Sequence, residues 1–255
     1  MSRNLLEIAA DLIYQANYSI GLTGAGISTP SGIPDFRSAD SGMWTKVNPF
    51  EVASIQGFRY HPEAFYSWIR PLAHKIMDTE PNPAHFAMAT MERLGFLRSI
   101  ITQNIDMLHS HAGSQTVYEV HGHIREMTCI SCFKVFEAKP IMEAFLENED
   151  VHVPLCPICG GVLKPNVILF GEQLPAQVLI KAQKELRQAD LMLVAGSSLE
   201  VYPVADFPRV IKQHGGKLII MNLQKTSYDD IADVVIHGDV AEVLPDVVSL
   251  LEGKA

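Results

Sequence analysis

The 255-residue chain has no stretch of eighteen consecutive apolar residues, so no segment has the length and apolarity of a membrane-spanning helix. It is also poor in charge. Charged residues make up 19% against 47% hydrophobic, a balance that excludes a disordered chain and supplies a sizeable core. Cationic charge is the scarcer kind: 20 Lys and Arg face 29 Asp and Glu, for a net charge of -9. Phosphate backbones demand clustered Lys and Arg, so no direct nucleic-acid binding is expected; an acidic surface suits cationic partners such as lysine-rich peptides. The apolar core of a signal peptide is missing as well. Glu7 and Asp11 interrupt it, while Leu5, Ile8, Ala9, Leu12 and Ile13 recur at helical spacing. The expectation is a cytoplasmic chain, where thiols stay reduced and disulfides are rare. There is no internal repeat and no low-complexity tract.

What is present is an alternation. Short, nearly continuous apolar runs at Tyr18–Leu22, Ser99–Thr102, Val117–Val120, Leu191–Val194 and Leu218–Met221 read as parallel strands covered on both faces. Helical patterns at Ala84–Leu94, Ala176–Leu186, Val204–Gln213 and Val240–Leu251 lie among them, which predicts an α/β, doubly wound parallel sheet. Two stretches break the pattern: 30–80, with five prolines and two short helical patterns, and 125–165, which holds every cysteine. Length alone gives a prior of about 1.7 domains. Residues 1–31, 77–124 and 166–255 are therefore assigned to the Rossmann-type domain, and 32–76 with 125–165 to an inserted smaller one. Such sheets bind ligands at the carboxyl ends of their strands, where an inserted lobe makes a cleft.

The four cysteines form two C-x-x-C pairs, Cys129–Cys132 and Cys156–Cys159, separated by 23 residues. Two intervening residues let both thiolates of a pair reach one ion, and four complete a tetrahedral zinc shell with no position left for substrate. The predicted metal is thus one structural zinc; free buried cysteines or a redox pair are the alternatives.

Gly24-Ala-Gly26 follows a strand, as a dinucleotide-binding turn should, with a following helix start expected to add a favourable dipole. The fingerprint of hydride-transfer enzymes is incomplete, however. Thr29 stands at the third glycine, and no acid closes a second strand about twenty residues on. An ordinary dehydrogenase is disfavoured.

The run Gly24-Ala-Gly-Ile-Ser-Thr-Pro-Ser-Gly-Ile-Pro-Asp-Phe-Arg37 resembles, nearly letter for letter, the signature of the sirtuins, the NAD-dependent protein deacylases. Thr102-Gln-Asn-Ile-Asp106, His121-Gly122, both cysteine pairs, Pro165–Glu172 and Gly196-Ser-Ser-Leu199 follow in that family's order. The match extends from about residue 5 to residue 250, and the short chain looks like the compact bacterial and archaeal members. The resemblance implies NAD as co-substrate between a Rossmann-type domain and a zinc-ribbon domain, with acyl-lysine entering opposite. It implies that His121 is the catalytic base, a role suited to an imidazole at neutral pH. Asp106 and the Ile105 backbone are to hold the carboxamide of nicotinamide, Asn104 a ribose and a water, and Gln103 ribose hydroxyls. Asn104 or Asp106 also has the character of a helix N-cap for the segment starting Met107-Leu108. Gly24, Ala25, Gly26, Thr29 and Asp35 are assigned to the NAD turn, Phe36 to shielding of the ribose, and Arg37 to the pyrophosphate. Gly196, Ser197 and Ser198 fit phosphate, Asn222 and Leu223 the adenosine ribose, and Val240 adenine. Ile168, Phe170, Gly171 and Val201 match the acyl-lysine tunnel. Phe170-Gly-Glu172 and Ser198-Leu-Glu200 offer edges for an added peptide strand, with Glu172 and Glu200 near the mouth.

Members selective for acidic acyl groups carry Tyr-x-x-Arg on the helix after a motif like His61-Pro62. Here Tyr66 is followed three residues later by Ile69, and Arg70 comes one residue further, a rotation of about 100°. The expected activity is NAD-dependent removal of acetyl and other neutral acyl groups from protein lysines. The alternatives are a protein ADP-ribosyltransferase and a catalytically silent NAD- or peptide-binding module.

Overall fold

The computed structural model describes residues 3–35 and 48–254. In chain order the first half comprises α1 (Arg3–Gln15), β1 (Ser19–Thr23), α2 (Pro49–Val52), α3 (Ile55–Tyr60), α4 (Pro62–Asp78), α5 (Pro83–Arg93), β2 (Ser99–Thr102), α6 (Leu108–His111) and β3 (Val117–Glu119). The second half comprises β4 (Gly122–Cys129), β5 (Val135–Glu137), α7 (Ala138–Glu147), β6 (Leu163–Val167), α8 (Ala176–Gln188), β7 (Leu191–Ala195), α9 (Phe207–Gln213), β8 (Lys217–Asn222), β9 (Val234–His237) and α10 (Val240–Glu252).

Six strands form one parallel sheet in the order β3-β2-β1-β7-β8-β9. β1 and β7 are buried along their whole length, which is why their sequences are continuously apolar. On one face α1, α5 and α10 close a core that includes Ala9, Ile13, Met88, Ile100, Leu193, Val243 and Val247. On the other, α8 and α9 pack Ala182, Leu186, Phe207 and Ile211 against Ile20, Leu22, Met192 and Ile220. The chain order reverses between β1 and β7, and that switch point opens the crevice in which doubly wound sheets bind ligands.

The smaller sheet is antiparallel, β5-β4-β6, and packs with α3, α4 and α7 around Phe58, Phe65, Tyr66, Phe145 and Leu163. A smaller cluster, Ile33, Leu72, Ile76 and Leu108, lies between the glycine-turn segment, α4 and α6. The parallel sheet expected from the apolar runs is present with one addition. β9 escaped that reading because it is a sheet edge whose residues alternate between buried and less buried rather than forming a continuous apolar run. Residues 49–78 hold three helices rather than two, and the Val204–Gln213 pattern divides into a 3-10 turn at Val204–Asp206 and α9. No helix among the described residues is long and apolar enough to cross a membrane.

Candidate active site

The site begins where the ends of β1 and β7 meet. Gly26 N–H donates to Gly196 O at 2.8 Å. A Cβ on Gly26 would stand 2.8 Å from that oxygen, and one on Gly196, whose φ is +62°, would stand 2.2 Å from Ile27 N. Two backbones therefore pass at a distance only glycines permit. The turn does not open an α-helix, as the nucleotide-binding analogy suggested; it continues as single 3-10 turns at Ala25–Ile27 and Thr29–Ser31. Asn82, which caps α5 by accepting from Ala84 N–H, holds this turn by donating to Ile27 O at 2.8 Å.

Behind the turn lies a buried polar cluster. Ser28 Oγ donates to Asp106 Oδ2 at 2.6 Å and accepts from Asn104 Nδ2 at 3.0 Å, while Asp106 Oδ1 takes Leu108 N–H at 3.0 Å. Asp106 thus satisfies the start of α6 and faces the cleft at once; Asn104 does not act as a cap. Burial raises the Asp106 pKa, with the Ser28 hydroxyl and the Leu108 N–H pulling the other way. Ser28 was not singled out from the sequence, although it lies within the Gly24–Arg37 run. Its short side chain gives no sign that it joins two residues 76 and 78 positions away.

His121 occupies the turn between β3 and β4, just past the strand expected to end beside it. Its Nδ1 lies 3.1 Å from Gln103 O. A carbonyl can only accept, so the ring proton sits on Nδ1 and Nε2 carries the lone pair a general base needs. Gly122 follows at φ +79°, where an added Cβ would lie 2.1 Å from Asn166 O; β4 and β6 cross directly beneath the histidine. Ile168 N–H donates to His121 O at 2.8 Å, tying the segment after β6 to it.

Two cavities meet at His121. One, of about 200 Å³, is lined by Gly24, Ala25, Gly26, Thr29, Asp35, Gln103, Asn104, Gly196, Ser197, Ser198, Asn222, Leu223 and Val240. The other, of about 400 Å³, is lined by Ile105, Asp106, Ile168, Phe170, Gly171 and Val201, with Ile33, Phe65, Trp68, Ile69 and Leu72. His121, Asn104, Gln103, Ala25 and Val201 border both. Phe36 and Arg37, assigned to the ribose and pyrophosphate, lie outside the described residues.

On the apolar side Arg70 lies where its helical register put it, whereas Tyr66 and the Phe170 edge depart from expectation. Tyr66 is not in the cavity wall. It is fully buried among Phe58, Phe65 and Phe145, and its hydroxyl donates to Leu163 O at 2.5 Å. Arg70 points away from the cavity: it donates to Phe145 O and Val151 O and lies 3.7 Å over the Phe145 ring, joining α4 to α7. Ile69 takes the lining position. The edge at Phe170 is also partly committed. Phe170 N–H donates to Ala53 O at 2.9 Å and its carbonyl accepts from Ile55 N–H at 3.0 Å, so an incoming strand cannot use those groups. Glu172 pairs with Lys164 at 3.0 Å and accepts from Leu169 N–H, which pins this segment.

The four cysteine sulfurs lie within 4.8 Å of one another, with Cys129–Cys159 at 3.5 Å and Cys132–Cys156 at 3.7 Å. A tetrahedron with metal–sulfur bonds of about 2.3 Å has sulfur–sulfur edges near 3.8 Å, so the set fits one zinc ion. The N–H groups of Cys132 and Ser131 point at the Cys129 sulfur, donors that suit the thiolate a metal requires.

Two buried histidines, His85 and His109, stand behind Ser28 and Thr23. Burial lowers the His85 pKa from 6.5 to about 4 and takes His109 well below its ordinary value. As pH falls below 6.5 the unfolded chain gains protons that the folded one refuses, so stability is lost down to pH 4. The His85 share is on the order of 3 kcal/mol. Asp106, whose raised pKa makes the folded state hold a proton longer, opposes this at the acid end. Urea midpoints should therefore fall from pH 7 to pH 5 at constant zinc content, and a flat profile would contradict the two-histidine assignment.

A switch-point crevice at a glycine crossing, an Nδ1-protonated histidine at the junction of a polar and an apolar cavity, and a four-sulfur cluster in a second sheet define a class. It is a dinucleotide-site α/β protein with an inserted metal-binding module. The Sir2 family model matches residues 24–203, and the chain belongs to the Sir2 family. NAD-dependent protein deacylase 2 of Archaeoglobus fulgidus is 44% identical over 241 residues, 94% of this chain and 93% of that protein. NAD-dependent protein deacetylase of Sulfurisphaera tokodaii is 43% identical over 96% of this chain and 95% of its own length. A Sir2 enzyme solved in work on the mechanism and regulation of these enzymes superposes with a TM-score of 0.93 at 42% identity, over 100% of both chains. A Sir2 variant solved with a deacetylated p53 peptide and 3'-O-acetyl ADP-ribose gives a TM-score of 0.91 at 40% identity, covering 96% of this chain and 97% of that one.

Proposed function

We propose that this protein is an NAD-dependent protein-lysine deacylase that moves the acyl group of a modified lysine onto the ADP-ribose part of NAD, releasing nicotinamide and free lysine. The observation that carries the reading is the position of His121 between the two cavities, one lined by glycines and hydroxyls, the other by apolar side chains. NAD lies along the first, against Gly24, Ala25, Gly26, Thr29, Asp35, Gln103, Gly196, Ser197, Ser198, Asn222, Leu223 and Val240. Ile105 and Asp106 receive the carboxamide, and Asn104 orients the ribose. The acylated lysine occupies the second, along Ile168, Phe170, Gly171 and Val201. With NAD bound, the acyl oxygen would displace nicotinamide from the ribose carbon. His121 Nε2 would take the proton of the ribose hydroxyl that then adds to the acyl carbon, and a water would complete release of the lysine amine, while Nδ1–H stays on Gln103 O. Relatives named deacylases and deacetylases, and one solved with acetylated ADP-ribose beside a deacetylated peptide, support this reading. Zinc at Cys129, Cys132, Cys156 and Cys159 is structural, and we keep the domain division at 1–31, 77–124 and 166–255 against 32–76 and 125–165. Mass spectrometry of an acetyl-lysine peptide with and without NAD tests the assignment. Loss of the acetyl mass only with NAD, alongside acetylated ADP-ribose in solution, is expected; ADP-ribose attached to protein instead would overturn it.

The acyl groups accepted are neutral. The charged side chains among the residues lining the apolar cavity are Asp106, Glu172 and Glu200, all acidic, and no Lys or Arg of the described chain joins them. A carboxylate-tipped acyl chain would be desolvated without a cation, which is strongly unfavourable. Acetyl-lysine peptide should be turned over with a higher kcat/KM than its succinyl counterpart. Ile69→Arg alone should narrow the gap. Arg70 must stay in that variant, because it joins α4 to α7. Succinyl matching acetyl in the unmodified protein would refute the neutral pocket.

A further inference from the structure

His109, on the single-turn helix α6, is 2% exposed and borders neither cavity. Its Nε2 lies 2.9 Å from Thr23 Oγ1. Thr23 Oγ1 donates to Thr102 Oγ1 at 2.9 Å, and Thr102 Oγ1 accepts the backbone N–H of Asn104 at 3.1 Å. Since the Thr23 hydroxyl spends its one hydrogen on Thr102, the imidazole must be the donor to Thr23, with its proton on Nε2. The other nitrogen agrees: His109 Nδ1 is buried with no hydrogen-bond partner among the described residues, which a bare lone pair tolerates better than an N–H would. A phenyl ring would fill this volume without an unpartnered nitrogen. What the imidazole supplies that phenyl cannot is the one bond to Thr23.

A second histidine braces the same residue from its other end. His85 Nδ1 accepts Asn82 N–H at 3.3 Å, which leaves the proton on Nε2, 3.4 Å from the Ser28 oxygen that holds the Asn104 side chain. The two rings meet edge to face, with centroids 5.0 Å apart.

We propose that His109 is a positioning residue for Asn104: through Thr23 and Thr102 it sets the backbone from which the Asn104 amide reaches the cleft. The inference rests on the deacylase reading for its effect on turnover, but the strut itself is a statement about hydrogen bonds. Misplacing a residue at the reacting centre by about 1 Å lowers turnover on the order of 100-fold. His109→Phe should therefore lower kcat by about 10- to 100-fold with little change in peptide KM, at a temperature where the variant is folded. His109→Gln restores a donor at the end of a side chain of similar reach, and should recover most of the lost kcat. Thr23→Val cuts the same chain, so its effect and that of His109→Phe should not add.

Amide hydrogen exchange at Asn104 gives a readout independent of catalysis: faster in His109→Phe and in Thr23→Val, near normal in His109→Gln. If the unmodified protein released no nicotinamide from NAD with an acetyl-lysine peptide, the deacylase reading would fail, and the exchange pattern alone would decide the strut. Wild-type kcat together with wild-type protection of Asn104 in His109→Phe would overturn the proposal. So would a loss of kcat that His109→Gln does not repair while Asn104 stays protected.

Discussion

His121→Ala should fold with an unchanged midpoint, retain NAD, and lose turnover by about 10²- to 10⁴-fold, the range expected when a general base is removed. The fold tolerates the change because His121 is half-buried in a turn at the mouth of the cleft, where its Nδ1 bonds a backbone carbonyl, Gln103 O. Alanine leaves that carbonyl in the cavity, where water reaches it. The loss should fall on kcat more than on the NAD dissociation constant, because the Gly26–Gly196 crossing and the hydroxyls of Ser197 and Ser198 are untouched. His121→Gln should not rescue, since an amide nitrogen cannot take up a proton near neutral pH. Steady-state kinetics with NAD titrations on both variants checks this; wild-type turnover from either would remove His121 from the chemistry.

Cys156→Ser should have the other large effect, on the protein rather than on the reaction. A closed four-thiolate zinc site contributes on the order of 10 kcal/mol to the folded state. The small sheet has little else to replace it. Cys129 ends β4, Cys156 precedes β6, and the buried Cys129, Cys156, Met127 and Leu163 share one core with Phe58, Phe65 and Phe145. Losing the metal leaves three sulfurs crowded together and unties the loop that carries Cys156 and Cys159. Elemental analysis should give about one zinc per chain in the parent and none in the variant, with most of the folded yield lost. Folded, fully active, zinc-free Cys156→Ser would defeat the structural role of the metal. The cleft would open with it, because Ile168 and Phe170, which line the apolar cavity, continue directly from β6.

Some of this was legible in one dimension because the chemistry is local in sequence. Continuous apolar runs announce strands buried on both faces, and β1, β2 and β7 lie within a residue of where those runs put them. Two C-x-x-C pairs announce four sulfurs that can share one ion, whatever the intervening chain does. Gly24-Ala-Gly26 announces a close backbone approach, and the tight partner turned out to be another glycine, Gly196, 170 residues later.

Helical register alone separated Ile69 from Arg70, since about 100° of rotation decides which residue faces a neighbouring cavity. The same register argument could not place Tyr66. Whether a tyrosine hydroxyl faces a ligand or a carbonyl depends on what packs over it, and that was Leu163, 97 residues away. The same limit applies to Ser28, His85 and His109. Each is an ordinary letter until folding brings Asp106 to Ser28, Asn82 to His85 and Thr23 to His109 in a space without water. The sequence by itself determined the parallel-sheet class, the sulfur set and the family signature, and from that signature came the expected site residues. The tertiary structure decided which hydroxyl, ring nitrogen and backbone amide satisfy one another. Hydrogen bonds within a buried cluster are short-ranged, and their partners come from segments that only the folded chain brings together.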